Sequence, residues 1–81
     1  MHLEILTPEK KVYSGEVTLV NLPGSDGSFE VLTNHAPIIS TLDKGVITIK
    51  GKEGEQKVTV DGGVVEVLNN TIIVLAESVI A

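Results

Sequence analysis

Apolar and polar residues alternate along this chain in short bursts. Leu3 and Ile5 alternate with His2 and Glu4 in a first strand that Thr7-Pro8-Glu9 closes. Val12-Tyr13 opens the next strand, and Ser14-Gly15 interrupts the pattern at an expected bend or bulge. Between Val17 and Leu22 the apolar phase slips from odd to even positions, which fits either a bulge or burial of both faces. Phe29 and Val31 share a face after the glycine-flanked turn Pro23-Gly24-Ser25-Asp26-Gly27. Thr33-Asn34-His35-Ala36-Pro37 forms a polar corner, kept extended because Pro37 drives Ala36 out of the helical region. Ile38 to Leu42 and Val46 to Ile49 are strand-like, with a turn expected between them at Asp43-Lys44-Gly45.

The second half repeats this grammar. Gly51-Lys52-Glu53-Gly54 is a loose turn, and Val58 and Val60 point inward while Lys57, Thr59 and Asp61 point outward. Asp61-Gly62-Gly63 turns the chain again. Val64 to Leu68 and Thr71 to Glu77 then flank Asn69-Asn70, whose side chains tolerate the positive φ of a tight hairpin. Turn signals recur at roughly 8–12-residue spacing and no segment repeats at the helical period, the pattern of an all-β sandwich or barrel.

Eighty-one residues make one domain, 1–81, whose core is aliphatic: twelve Val, eight Ile and eight Leu against one Tyr and one Phe. Few aromatics and a net charge of −5 argue against a nucleic-acid partner, which needs stacking platforms and clustered cations. No cysteine is present, so disulfide scaffolds and thiolate metal sites are excluded. Met1-His2-Leu3-Glu4 lacks the pattern of a signal peptide, and no apolar run approaches the ~20 residues that span a bilayer. The expectation is a soluble cytoplasmic domain that does not insert into the membrane and reaches it only through a partner.

Candidate chemistry is sparse. His2, His35, Glu30, Asp43 and Glu66 are the titratable groups away from obvious turns, and Ser14, Ser25, Ser28 and Ser40 are not set in a nucleophile elbow. Neither histidine has a carboxylate at metal-ligand spacing. Gly24-Ser25-Asp26-Gly27 lacks the Lys-Ser/Thr and the following helix of a phosphate loop, and Asp26 would repel phosphate. It reads as a hairpin-end turn or as a contact loop. His35, taken by itself, reads as a side chain that satisfies its own corner. No catalytic residue, cofactor or metal is expected. Lys44 supports one rival reading: a lipoyl- or biotinyl-type carrier domain modified at a hairpin-tip lysine. Against it stand the absence of two quasi-symmetric halves and Gly45 after the lysine.

The glycine-flanked acidic turn, His35-Ala36-Pro37 and the hairpin after it resemble the N-terminal β-sandwich domain of the epsilon subunit of the F-type ATP synthase. Tyr13-Ser14-Gly15, Gly62-Gly63-Val64-Val65-Glu66-Val67 and Val74-Leu75-Ala76-Glu77 extend the likeness over essentially the whole chain, in order. The resemblance implies a flattened β-sandwich of short, mostly antiparallel strands, on the scale of ten. It implies a non-catalytic rotor subunit of the proton-translocating synthase, peripheral at the cytoplasmic face of the cell inner membrane and a monomer when isolated. Its partners would be the gamma subunit, at Thr7, His35, Ala36, Pro37 and Ser40, and the c-ring, at Asp26, Gly27 and Ser28. Relatives often carry a second carboxylate where Ser28 stands and glycine where Asn34 stands; asparagine also tolerates the left-handed region. Family members usually continue into two C-terminal helices that can inhibit hydrolysis and, in some, help bind ATP. No such helical hairpin is expected within these 81 residues, so neither property is expected of this chain.

Overall fold

The computed structural model describes residues 1–80. It contains eight strands: β1 (His2–Leu6), β2 (Lys11–Glu16), β3 (Leu19–Leu22), β4 (Phe29–Leu32), β5 (Ile38–Gly51), β6 (Gly54–Leu68), β7 (Thr71–Ala76) and β8 (Val79–Ile80). No helix occurs among the described residues. The strands hydrogen-bond in the order β2-β1-β7-β6-β5-β3-β4, with β8 on β6. All pairs are antiparallel except β1 with β7.

This sheet is folded over on itself. The first part of β5 (38–42) and the last part of β6 (63–68) lie with β7, β1 and β2. The remainder of β5 and β6 lies with β3, β4 and β8. Leu3, Ile5, Val65, Val67, Ile72 and Val74 from the first layer join Val20, Leu22, Val31, Ile47, Ile49 and Val60 from the second in one buried cluster. An open sheet can gather both sets against each other only as a two-layer sandwich. Two strands thus serve both layers, and eight strands do the work of ten.

The fold-over lies where two turns are expected from the sequence. At Asp43-Lys44-Gly45 and at Asp61-Gly62-Gly63 the strands crease and continue. The β5–β6 ladder pairs Leu42 with Gly63 and Lys44 with Asp61, so Asp43 and Gly62 drop out of register. The backbone groups freed at the crease find other partners. Asp43 N donates to Pro23 O at 2.8 Å, Glu77 N donates to Gly62 O at 3.1 Å, and Asp61 N donates to Ser78 O at 3.1 Å. Gly62 (φ 96°) and Gly63 (φ 153°) supply the backbone angles of the bend.

Three further expectations are corrected. Ser14-Gly15 sits inside an unbroken β2. The bulge falls at Val12, because Ile5 faces Tyr13 while Leu6 faces Lys11. The phase slip between Val17 and Leu22 is neither a bulge nor two-faced burial but a change of layer. Val17 N donates to Met1 O in the first layer and Thr18 N to Lys50 O in the second. Asn69 and Asn70 form the expected tight link at φ 51° and 62°. Gly51 pairs directly with Gly54, which makes that turn tight rather than loose.

Candidate partner-binding face

The two outer faces of the sandwich differ in arrangement. On the second layer the outward positions pair Lys44 with Asp61, Thr48 with Lys57 and Lys50 with Glu55, and the exposed Val46, Ile80 and Leu32 are dispersed among these polar residues. On the first layer the register lines up Leu6, Leu75, Val64 and Thr41 in one row across four strands. The next outward row is Glu4, Ile73, Glu66 and Ile39, and Leu68 follows beyond it. These residues point away from the core because their neighbours Ile5, Val74 and Val65 point into it. Ile39 is 73% exposed, Leu75 55%, Leu68 48% and Val64 40%. Scattered exposed aliphatics are ordinary, but a contiguous apolar face framed by charge marks an interaction surface.

The charged frame is organised. His2 Nδ1 lies 3.0 Å from Glu16 Oε2 and Nε2 lies 3.1 Å from Glu4 Oε2. Two carboxylates accepting from both ring nitrogens favour the imidazolium, so the hydrogen bonds to Glu4 and then to Glu16 raise the His2 pKa above 6.5. The hydrogen bond from His2 in turn holds Glu16 below its usual value. Lys11 Nζ stands 3.8 Å from Glu4, and the N-terminal ammonium 3.4 Å from Glu16.

The sequence-predicted residues fall in separate places. His35 is half-buried, with Nδ1–H donating to Ala36 O at 2.7 Å and its own amide donating to Leu32 O at 3.0 Å. The corner is tethered where Asn34, at φ 67°, donates its amide to Asn70 Oδ1 at 2.8 Å. Ala36 and Pro37 are exposed, and Pro37 lines a shallow groove with Ile39, Glu66 and Leu68 that runs into the apolar face. Ser40 faces inward in register with Val65, its hydroxyl donating to Thr41 O at 3.0 Å. Thr7 closes the turn to Lys10 beyond the other end of β1. It stands roughly 20 Å along the strands from the Asn34–Asn70 tether, at ~3.3 Å per residue.

Asp26, Gly27 and Ser28 form an exposed tip at the crease end. Gly27 N closes the turn on Gly24 O at 3.0 Å, and Gly24 bridges Leu42. A hydroxyl chain from Thr41 to Ser25 (2.8 Å) to Asp43 (3.0 Å) fastens the tip to β5, and Ser28 donates to Asn21 at 3.1 Å. Lys44 lies within β5 opposite Asp61 and not at a hairpin tip, so the carrier reading loses its lysine. No buried polar or charged side chain occurs among the described residues, and no His, Asp and Glu cluster there could hold a metal. A second concavity, near Tyr13, Ile49 and Gln56 at the open end between the layers, brings no such cluster together.

The apolar face itself is what sequence reasoning missed. The available signal is the doublets Ile38-Ile39, Val64-Val65, Val67-Leu68, Ile72-Ile73 and Val74-Leu75, where a strand open to water on one face would alternate.

Residues 1–81 match the family model described as ATP synthase, Delta/Epsilon chain, beta-sandwich domain. The chain is 40% identical over 77 residues to the ATP synthase epsilon chain of Leptospira borgpetersenii serovar Hardjo-bovis, covering 95% of itself and 61% of that protein. It is 41% identical over 76 residues to the ATP synthase epsilon chain of Rhodopseudomonas palustris (strain BisA53), covering 94% and 56%. It thus spans a little over half the length of these curated relatives. Its fold matches a chain in the central stalk/c-ring structure of the Tetrahymena thermophila mitochondrial ATP synthase, with a TM-score of 0.84 at 16% identity over 98% of this chain and 64% of that one. A chain in the Euglena gracilis OSCP/F1/c-ring structure matches with a TM-score of 0.89 at 15% identity, over 96% and 51%.

Proposed function

This chain belongs to the ATP synthase delta/epsilon-chain β-sandwich family, and from that premise we propose that it is a non-catalytic rotor module of a proton-translocating F-type synthase. In this reading it couples the gamma shaft to the c-ring, and it sits peripherally on the cytoplasmic side of the inner membrane through that complex. The observation that carries the proposal is the contiguous apolar outer face of the first layer. A shaft that transmits torque needs a contact that does not slip, and burying Leu75, Val64, Ile39 and Leu68 would supply roughly 25 cal/mol per Å² of apolar surface covered. His35, Ala36 and Pro37 extend that contact at the β5 edge. Thr7 borders it at the crease end, and Ser40 lies beneath it on the inner side of β5.

The Asp26-Gly27-Ser28 tip is the proposed c-ring contact. It projects at the crease end, away from the Asn34–Asn70 end, and its fastening to Asp43 gives a stiff second contact. Within residues 1–81 the role is mechanical coupling, with neither ATP binding nor inhibition by helix extension. Adding the chain to epsilon-depleted synthase vesicles tests this. Proton pumping per ATP hydrolysed should recover with wild type and not with Leu75→Asp, while both melt at similar temperatures. Failure of the wild-type chain to bind gamma or restore coupling would overturn the proposal.

A further inference from the structure

One carboxylate of the apolar face has no counter-charge. Glu66 faces Ile39 across β5 and Ile73 across β7, and Val64 and Leu68 stand two residues either side of it. Glu4 pairs with His2 and Lys11, Glu16 with His2 and the N-terminus, and Glu55 with Lys50 and Lys57. Glu66 makes no ion pair and no side-chain hydrogen bond among the described residues. The chain's basic residues are six lysines, and of these only Lys11 lies on the outward face of the first layer, already beside Glu4.

In water this arrangement costs nothing, because the carboxylate is exposed and hydrated. Docking changes that. Covering the aliphatics around Glu66 removes its water, and an ionised carboxylate is tolerated in such a place only when paired. A partner with an uninterrupted apolar surface is therefore rejected, and one that brings a cation to that point is selected. A second copy of the chain fits poorly. A two-fold contact would set this face, with Glu66 and Glu4, against the same acids on a molecule of net charge −5.

We propose that Glu66 is the specificity-determining charge of the face, and that its occupant is a partner protein presenting one lysine or arginine within an apolar surface. This rests on the reading of the face as the gamma-binding surface and deepens it. The experiment measures the affinity of the purified gamma subunit for the full chain at low and at moderate salt. The variants are Glu66→Gln, Glu66→Lys and Leu75→Asp, each checked for an unchanged thermal melt. Glu66→Gln should weaken binding about tenfold or more and flatten its salt dependence, and Glu66→Lys should weaken it about a hundredfold. A Lys→Glu or Arg→Glu change at one site on gamma should then rescue Glu66→Lys. If Glu66→Gln binds like wild type with the same salt dependence while Leu75→Asp does not bind, the inference fails and the face stands. Should Leu75→Asp also bind normally, the face itself is misassigned and the inference falls with it. Self-association of the wild-type chain that tightens in Glu66→Gln would make the occupant a second copy and overturn the proposal.

Discussion

Replacing Gly63 with alanine should come close to unfolding the domain, whereas the same change at Gly62 should only weaken it. Both residues lie in the β6 crease at positive φ, 153° and 96°. At Gly62 an added Cβ would meet its nearest atom, Leu42 O, at an ordinary 3.5 Å. Gly62→Ala therefore carries backbone strain alone, about 1–3 kcal/mol, offset by the ~0.4–1 kcal/mol that a less flexible unfolded chain returns. At Gly63 the Cβ would overlap the Leu75 carbonyl oxygen and stand 2.9 Å from Ala76 Cα. Those atoms are β7 backbone. They can retreat only by opening the β6–β7 ladder beside Ala76, which is 3% exposed. Overpacking adds about 1–3 kcal/mol to the strain, for a total of about 2–6 before the same offset. At about 0.05–0.15 kcal/mol per residue, 81 residues hold roughly 4–12 kcal/mol in all. One kcal/mol moves the melting temperature of a domain this size by about 4–8 °C. Gly62→Ala should thus lose about 5–15 °C, and Gly63→Ala more than about 15 °C. Thermal melts followed by circular dichroism, with urea midpoints beside them, decide the matter. A Gly63→Ala melt within about 5 °C of wild type, or no lower than that of Gly62→Ala, would refute the crease geometry.

Two smaller predictions concern the frame and the corner. His2 carries a raised pKa, so its stabilisation is complete below 6.5 and fades as pH climbs through the raised value. Glu16 carries a lowered one, so its share is present above 4.5 and fades as pH falls through the lowered value. The stability difference between wild type and His2→Gln should therefore be largest between about pH 4.5 and 6.5 and shrink toward pH 8.5; a difference that is flat or grows with pH would count against the clamp. Asn70→Gly should lose only the 2.8 Å bond from the Asn34 amide, about 1 kcal/mol, while Asn70→Ala also strains a φ of 62° and should lose about 2. Equal urea midpoints for the two variants would show that the left-handed angle costs nothing.

Strand content was legible because each layer buries one face, and alternation at Leu3/Ile5 records that burial directly. The creases were not. Asp43-Lys44-Gly45 and Asp61-Gly62-Gly63 have turn composition, since a fold-over needs the same backbone freedom as a hairpin end. What distinguishes them is who takes the freed backbone groups. Here Pro23, Glu77 and Ser78 do, from 15 to 20 residues away, and no local pattern encodes that. Gly45 was misleading for a related reason: it stands in mid-strand because a Cβ there would come within 2.7 Å of Pro23.

The candidate site shows the limit more sharply. His35 and the Asp26 tip are conspicuous because they are polar groups at turns, yet the bonds of His35 close its own corner and those of the tip fasten it to β3 and β5. The larger surface is made of the same residue types as the core. Val64 and Val65 are chemically identical neighbours, one 40% exposed and the other fully buried, and only the register of β6 against β5 and β7 separates them. Composition therefore cannot tell a partner face from a core. A doublet pattern says that a strand is apolar on both sides, and the topology then decides which side the chain covers for itself. In this fold β5 and β6 cross into the second layer at the crease, so no strand among the described residues lies over the outer side of the first. A surface of Ile39, Val64, Leu68 and Leu75 left open by its own chain tends to associate, and the lone carboxylate among them restricts what it will associate with.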